Sequence, residues 1–171
     1  MKNTEAIRTR QWLFMPGYIS DVEYDAYRFT RFVASHPSDK ITWSDDKKKF
    51  FLTECRERGR LPQFAKNQTQ ALQQLFYQNT ISLVIFAGLN KESQSSPIHK
   101  DGMDVFYIQV HGKITWQIYT DDEQTVLFET KMVPGDAMWV PRGIKHQVLQ
   151  DQPRVGYSFG CEGKPEPSTY I

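Results

Sequence analysis

Two kinds of apolar spacing divide the chain. In the first half, Val22, Ala26, Phe29 and Val33 follow a Ser20-x-x-Glu23 pair, which puts them on one helical face behind a capping box. Pro37 ends that helix. The same reading predicts a second helix over 44–58, stopped by Gly59, and a third over 69–78 carrying Leu72, Leu75 and Phe76 on one face. Ahead of them, 11–15 reads as a short strand entering the Pro16-Gly17 turn.

From Ile81 the pattern changes to short β-rich runs separated by turn residues. The predicted strands are 81–88, 98–101, 105–111, 114–119, 126–132, 137–140, 146–149 and 155–161. Short strands in that number suit a closed or double-sheet barrel, with the preceding helices covering one face. The expected fold class is therefore mainly β with N-terminal helices. One domain is expected: a mostly helical part over 1–79 packed on a barrel over 80–163, then an extended arm over 164–171 that contains Pro165 and Pro167. No internal repeat is visible.

Composition narrows the function classes. A chain of 171 residues suits one domain, and 39% hydrophobic with 13% aromatic residues is enough for a packed core. Lys and Arg number 21 against 20 Asp and Glu, a net charge of +1, so no general attraction to nucleic acid or anionic membrane is expected. Lys47, Lys48 and Lys49 follow Asp45 and Asp46 and read as a solvated helix start. No stretch approaches the roughly 18 apolar residues of a membrane span, and residues 1–10 have no apolar leader segment. Cys55 and Cys161 do not make a disulfide framework. The expected compartment is the cytoplasm.

Two local motifs carry the chemistry. In His99-Lys100-Asp101, positions two apart on a strand share a face, so imidazole and carboxylate would enter the barrel together. The second runs from Gly135 through Pro141, Gly143 and His146, a turn followed by a strand that begins on histidine.

That second segment resembles the second cupin motif, with Gln150 where Asn is usual. The first departs from ordinary metal cupins, which carry His-x-His, and two His with one carboxylate make the facial triad of non-haem iron oxygenases. The longer run from Ser96 to Trp116, with Asp104-Val105-Phe106, Gln109-Val110-His111-Gly112 and Trp116, resembles the JmjC or cupin-like hydroxylases. The resemblance covers 81–163. It implies a double-stranded β-helix (cupin or jelly-roll barrel) and an oxidoreductase, an Fe(II)- and 2-oxoglutarate-dependent dioxygenase that consumes O2. His99, Asp101 and His146 would be its catalytic metal ligands.

The resemblance also implies a Lys or Arg two residues past Gly112, to pair with the distal carboxylate of 2-oxoglutarate, and Ile114 stands there. Lys113 should point outward by strand alternation. Arg154 is the substitute cation that the sequence offers, and Ser96 could add a hydroxyl. Tyr107 has the parity to face the cavity. Gln109 and Trp116 match the family pattern and complete the candidate co-substrate residues. Asp104 reads as fixing the turn before its strand, Trp139 and Cys161 as packing, Tyr157 as packing or pocket, and His36 and His111 as exposed. The substrate would be a protein or peptide side chain or a small amino-acid-like metabolite, and a homodimer stays open. Two other readings remain: an iron cupin dioxygenase independent of 2-oxoglutarate, and a non-catalytic metal-binding cupin sensor.

Overall fold

The structure, a computed structural model, describes residues 6–7, 9–20, 22, 24–35, 41–43, 49–52, 61–76, 81–89, 96–150 and 152–162. In chain order these form β1 (Leu13–Met15), α1 (Ala26–Ala34), β2 (Ile41–Trp43), β3 (Lys49–Leu52), α2 (Gln63–Leu75), β4 (Ile81–Gly88) and β5 (Asp104–His111). They continue with β6 (Ile114–Tyr119), β7 (Val126–Met132), β8 (Ala137–Val140), β9 (His146–Gln150) and β10 (Arg154–Cys161). A seven-stranded sheet, ordered β1-β8-β5-β10-β4-β3-β2, faces a three-stranded sheet ordered β7-β6-β9. Every pairing is antiparallel. This is the expected double-stranded β-helix.

Period-two alternation sorts the large sheet into two faces. On the outer face, Leu83, Ile85, Phe106, Ile108, Trp139 and Phe159 are buried with Leu72 and Phe76 of the α2 segment. Phe76 and Trp139 lie 5.8 Å apart, ring to ring. On the inner face Val105, Tyr107, Met138 and Val140 meet Ile114, Trp116, Ile118 and Met132 of the small sheet and its flanks. The inner cluster borders a cavity lined by Val105, Tyr107 and Trp116.

The N-terminal half departs from expectation. Helix α1 begins at Ala26, where the Asp25 side chain accepts from the Arg28 amide; Val22 lies ahead of the helix, and Glu23 falls outside the described residues. The predicted helix over 44–58 is corrected: within it, residues 49–52 form β3, paired with β2 and β4. The run Lys49-Phe50-Phe51-Leu52 suits a strand once an open sheet edge is available. Helix α2 starts earlier than predicted, directly after Pro62. The described residues of 1–79 thus form a mixed α/β extension of the large sheet rather than a mostly helical cover. No helix among the described residues is long and apolar enough to cross a membrane. The predicted arm over 164–171, His36 and Cys55 lie outside the described residues.

Candidate metal centre

The predicted strand over 98–101 is reduced to a single antiparallel bridge, His99 with His146. Its two backbone hydrogen bonds are His146 N–H to His99 O at 2.9 Å and His99 N–H to His146 O at 3.1 Å. The chain then turns away, because the Asp101 carbonyl accepts the Gly143 amide at 3.0 Å instead of continuing the ladder. The bridge and the Gly143–Asp101 bond bring both motifs together.

His99, Asp101 and His146 each present a ligand atom, all within 4.8 Å of one another. His146 Nε2 lies 3.5 Å from Asp101 Oδ2, and His99 Nε2 lies 3.9 Å from Asp101 Oδ1. Each imidazole donates its other nitrogen to a backbone carbonyl: His99 Nδ1 to Pro97 O at 2.9 Å, His146 Nδ1 to Ile144 O at 3.0 Å. Those bonds fix the tautomer that leaves an Nε2 lone pair facing the carboxylate, the arrangement metal-binding histidines use. His146 is buried and stacked on Trp116, with centroids 5.5 Å apart and planes at 12°. Burial pulls its imidazole below the ordinary value, so it stays neutral and able to ligate. Two imidazoles and one carboxylate fit a divalent ion of the first transition row and leave adjacent positions open.

The triad opens into a cavity of about 260 Å³ whose walls include Ser96, Tyr107, Trp116 and Arg154. Ser96 is exposed at the rim. Arg154 is buried at the inner end. Its Nε donates to Gln150 Oε1 at 2.6 Å and its Nη1 to the Tyr107 hydroxyl at 3.1 Å. The Tyr107 hydroxyl donates in turn to Gln109 Oε1 at 2.7 Å, and Gln109 Nε2 donates to the His111 and Gly112 carbonyls. Burial raises the Tyr107 hydroxyl above its ordinary range, opposed by the charge of Arg154. It therefore remains a donor at neutral pH. Among the described residues no carboxylate pairs with Arg154.

Gln109 does not line the cavity; it stands behind Tyr107 and holds its hydroxyl. Trp116 forms a wall, and its buried indole N–H has no hydrogen-bond partner among the described residues. Ile114 is buried in the inner apolar cluster, and Lys113 is exposed. Tyr157 turns to the opposite face, edge-on to Phe64 with centroids 5.2 Å apart. His111 is exposed and stacks on Tyr24 at 4.2 Å.

Sequence reasoning missed how the cavity is made. The inward row of β10 is Arg154, Gly156, Ser158 and Gly160, one long side chain followed by three with almost no volume. A Cβ at Gly156 would stand 1.8 Å from the Tyr107 hydroxyl, so the ring crosses the strand at that glycine. A β-bulge between Val155 and Gly156 shifts the ladder beside Arg154.

Comparison with known proteins places these observations in a family. The chain matches the JmjC domain over residues 61–167. It is similar in fold to ycfD of Escherichia coli, at TM-score 0.68 and 14% identity over 98% of this chain and 53% of that one. The structure of that ribosomal oxygenase in complex with cobalt and 2-oxoglutarate matches at TM-score 0.63 and 15% identity, over 93% of this chain and 49% of that one. SnoN, a non-haem α-ketoglutarate-dependent epimerase from nogalamycin biosynthesis, matches at TM-score 0.63 and 13% identity, over 99% and 92%. The chain thus spans about half the length of the YcfD structures it matches. No curated protein sequence matches it. A JmjC match over more than half of the chain, on a double-stranded β-helix with a His-x-Asp…His cluster at its mouth, shows that this protein belongs to the JmjC domain family.

Proposed function

We propose that this protein is an Fe(II)- and 2-oxoglutarate-dependent dioxygenase that hydroxylates a C–H bond. One observation carries the reading: Arg154 is a buried cation with no carboxylate partner among the described residues, in the same cavity as the metal triad. A buried, unpaired guanidinium is costly, and the distal carboxylate of 2-oxoglutarate would neutralise it.

In this reading His99, Asp101 and His146 hold Fe(II) by two nitrogens and one oxygen. Arg154 and the Tyr107 hydroxyl orient the co-substrate from its far end, and Gln109 keeps that hydroxyl in place. The apolar wall of Val84, Phe86, Val105 and Val148 excludes water around the reacting end. With iron bound, the site supplies oxidative decarboxylation of 2-oxoglutarate to succinate and CO2, the second atom of dioxygen entering the substrate C–H bond. Ser96, at the rim, is the further candidate hydroxyl for the co-substrate.

The substrate is a protein or peptide side chain or a small amino-acid-like metabolite. The structural neighbours include a ribosomal oxygenase and an enzyme of nogalamycin biosynthesis. Action in the cytoplasm is the accompanying proposal.

Anaerobic titration of the metal-free protein with Fe(II), then 2-oxoglutarate, tests the reading through the visible charge-transfer band of the chelate. The band should form in the wild type and be lost in Asp101→Ala. A buried apolar Ile114 at the position expected to be basic favours a second reading, iron chemistry without 2-oxoglutarate or a sensor. Stoichiometric iron binding without the band would select it.

A further inference from the structure

We propose that Asp104, charge-paired with Arg10, is a positioning residue that locks the two ligand-bearing segments at a fixed angle, so that the N-terminal segment is part of the metal centre. The proposal rests on the reading of His99, Asp101 and His146 as a metal site.

Asp104 follows the His99-Lys100-Asp101 loop and is fully buried as a side chain. Its Oδ1 accepts two donors: the Arg142 amide at 2.8 Å and Arg10 Nη2 at 2.5 Å. The next amide of the same turn, Gly143 N–H, bonds Asp101 O at 3.0 Å. Two consecutive amides of the 141–144 turn therefore dock on the loop that carries the other two ligands. Gly143 has φ +82°, a left-handed conformation that turns the chain there. The turn closes with Ile144 N–H on Pro141 O at 3.2 Å, and the Ile144 carbonyl receives His146 Nδ1. A single carboxylate oxygen thus connects to all three ligands: directly along the chain to Asp101 and His99, and through the turn to His146.

The other oxygen argues that Asp104 is there for geometry. Among the described residues Oδ2 has no hydrogen-bond partner although it is buried, an arrangement that costs free energy and calls for a reason. A carboxylate kept only for local stability would be expected to use both oxygens. Here both donors converge on Oδ1, where the turn and the N-terminal segment meet. Arg10 is 94 positions away in sequence. It is held by a backbone at φ +56°, with its amide on Ile7 O at 3.3 Å.

Co(II) is the probe, because its visible bands report coordination number and geometry as well as occupancy. The full chain is titrated as wild type, Asp104→Ala, Asp104→Asn, Arg10→Ala, Arg10→Lys and the Asp104→Ala/Arg10→Ala double variant, with thermal unfolding recorded for each. Asp104→Ala should bind Co(II) roughly 10- to 100-fold more weakly, the range for loss of a group that orients metal ligands, with a changed band shape at saturation. Asp104→Asn, which keeps an oxygen for the Arg142 amide, should retain the wild-type band. Arg10→Ala should move affinity and band in the same direction as Asp104→Ala, Arg10→Lys should restore them, and the double variant should be no worse than Asp104→Ala alone.

Lower melting temperatures with unchanged Co(II) affinity and spectrum would overturn the proposal and leave an ordinary buried ion pair. Should Asp104→Ala fail to fold, the asparagine and Arg10 variants decide. Co(II) binding by the wild type that survives Asp101→Ala unchanged would overturn the metal reading, and this proposal with it.

Discussion

Ile114 stands directly opposite Gln150 in the β6–β9 ladder, and the side chain of Gln150 accepts a hydrogen bond from Arg154. In the proposed reading, the cation expected at Ile114 is supplied instead by Arg154 of β10, held in place by the residue across the ladder from Ile114.

Replacing Arg154 should therefore separate co-substrate binding from metal binding. Arg154→Ala is expected to lose roughly 2–5 kcal/mol of 2-oxoglutarate affinity, the usual cost of removing one partner of a buried charged contact. Fe(II) affinity in the absence of 2-oxoglutarate should be unchanged. Equal loss of both in parallel titrations would sink the assignment of Arg154 to the co-substrate.

Gly156→Ala should act on Tyr107. The new methyl would meet the phenol at a distance that no side chain tolerates, so the ring must leave its place beside Arg154. A cost of about 1–3 kcal/mol is expected, as for other overpacked positions, read as a lower melting temperature together with weaker 2-oxoglutarate binding. An unchanged melting temperature would show that the ring does not cross the strand there.

Acid should destabilise the metal-free protein through His146. Burial holds its folded value below the ordinary 6.5, so below that pH the unfolded chain takes up a proton that the folded one refuses. This contribution is complete above the unfolded value and is lost as pH falls through the folded one. As pH falls below the ordinary 6.5, the melting temperature of chelator-treated wild type should drop by more than that of His146→Gln, since the variant lacks the titrating group. Parallel curves would exclude the effect.

Cys161 should be inert. Burial pushes its thiol well up, and the nearby charge of Asp104 adds to the shift. Iodoacetamide at mildly alkaline pH should leave the Cys161 peptide unmodified in native protein and alkylate it in denaturant. Modification under native conditions would show that the β10 end of the sheet opens.

Much of the barrel was legible because its strands carry their own signals: alternation in β4 and β6, and the Pro141-x-Gly143 turn before His146. The convergence of His99, Asp101 and His146 was legible for a similar reason, since each motif is local and the fold class brings the two mouths together. What escaped was non-local. β3 is a strand only because β4 offers an edge to it, whereas its own sequence serves a helix as well. Gln109 has the correct parity for the cavity, yet Tyr107 fills the space in front of it. Nothing near Arg10 announces that it will find Asp104. One local signal went unread, the Arg-x-Gly-x-Ser-x-Gly row of β10, which at period two describes an empty floor.

That row has a consequence for how such a pocket diversifies. The opposite face of β10 carries Val155, Tyr157, Phe159 and Cys161, all committed to the outer core, so adjacent positions on one strand serve different ends. Odd positions are constrained by folding, even ones by what enters the barrel. Gly156 and Gly160 have already lent their space to Tyr107 and Met103. Ser158 is left as the position on this strand where a descendant, or an engineer, could recut the fit to a new substrate while the scaffold stays as it is.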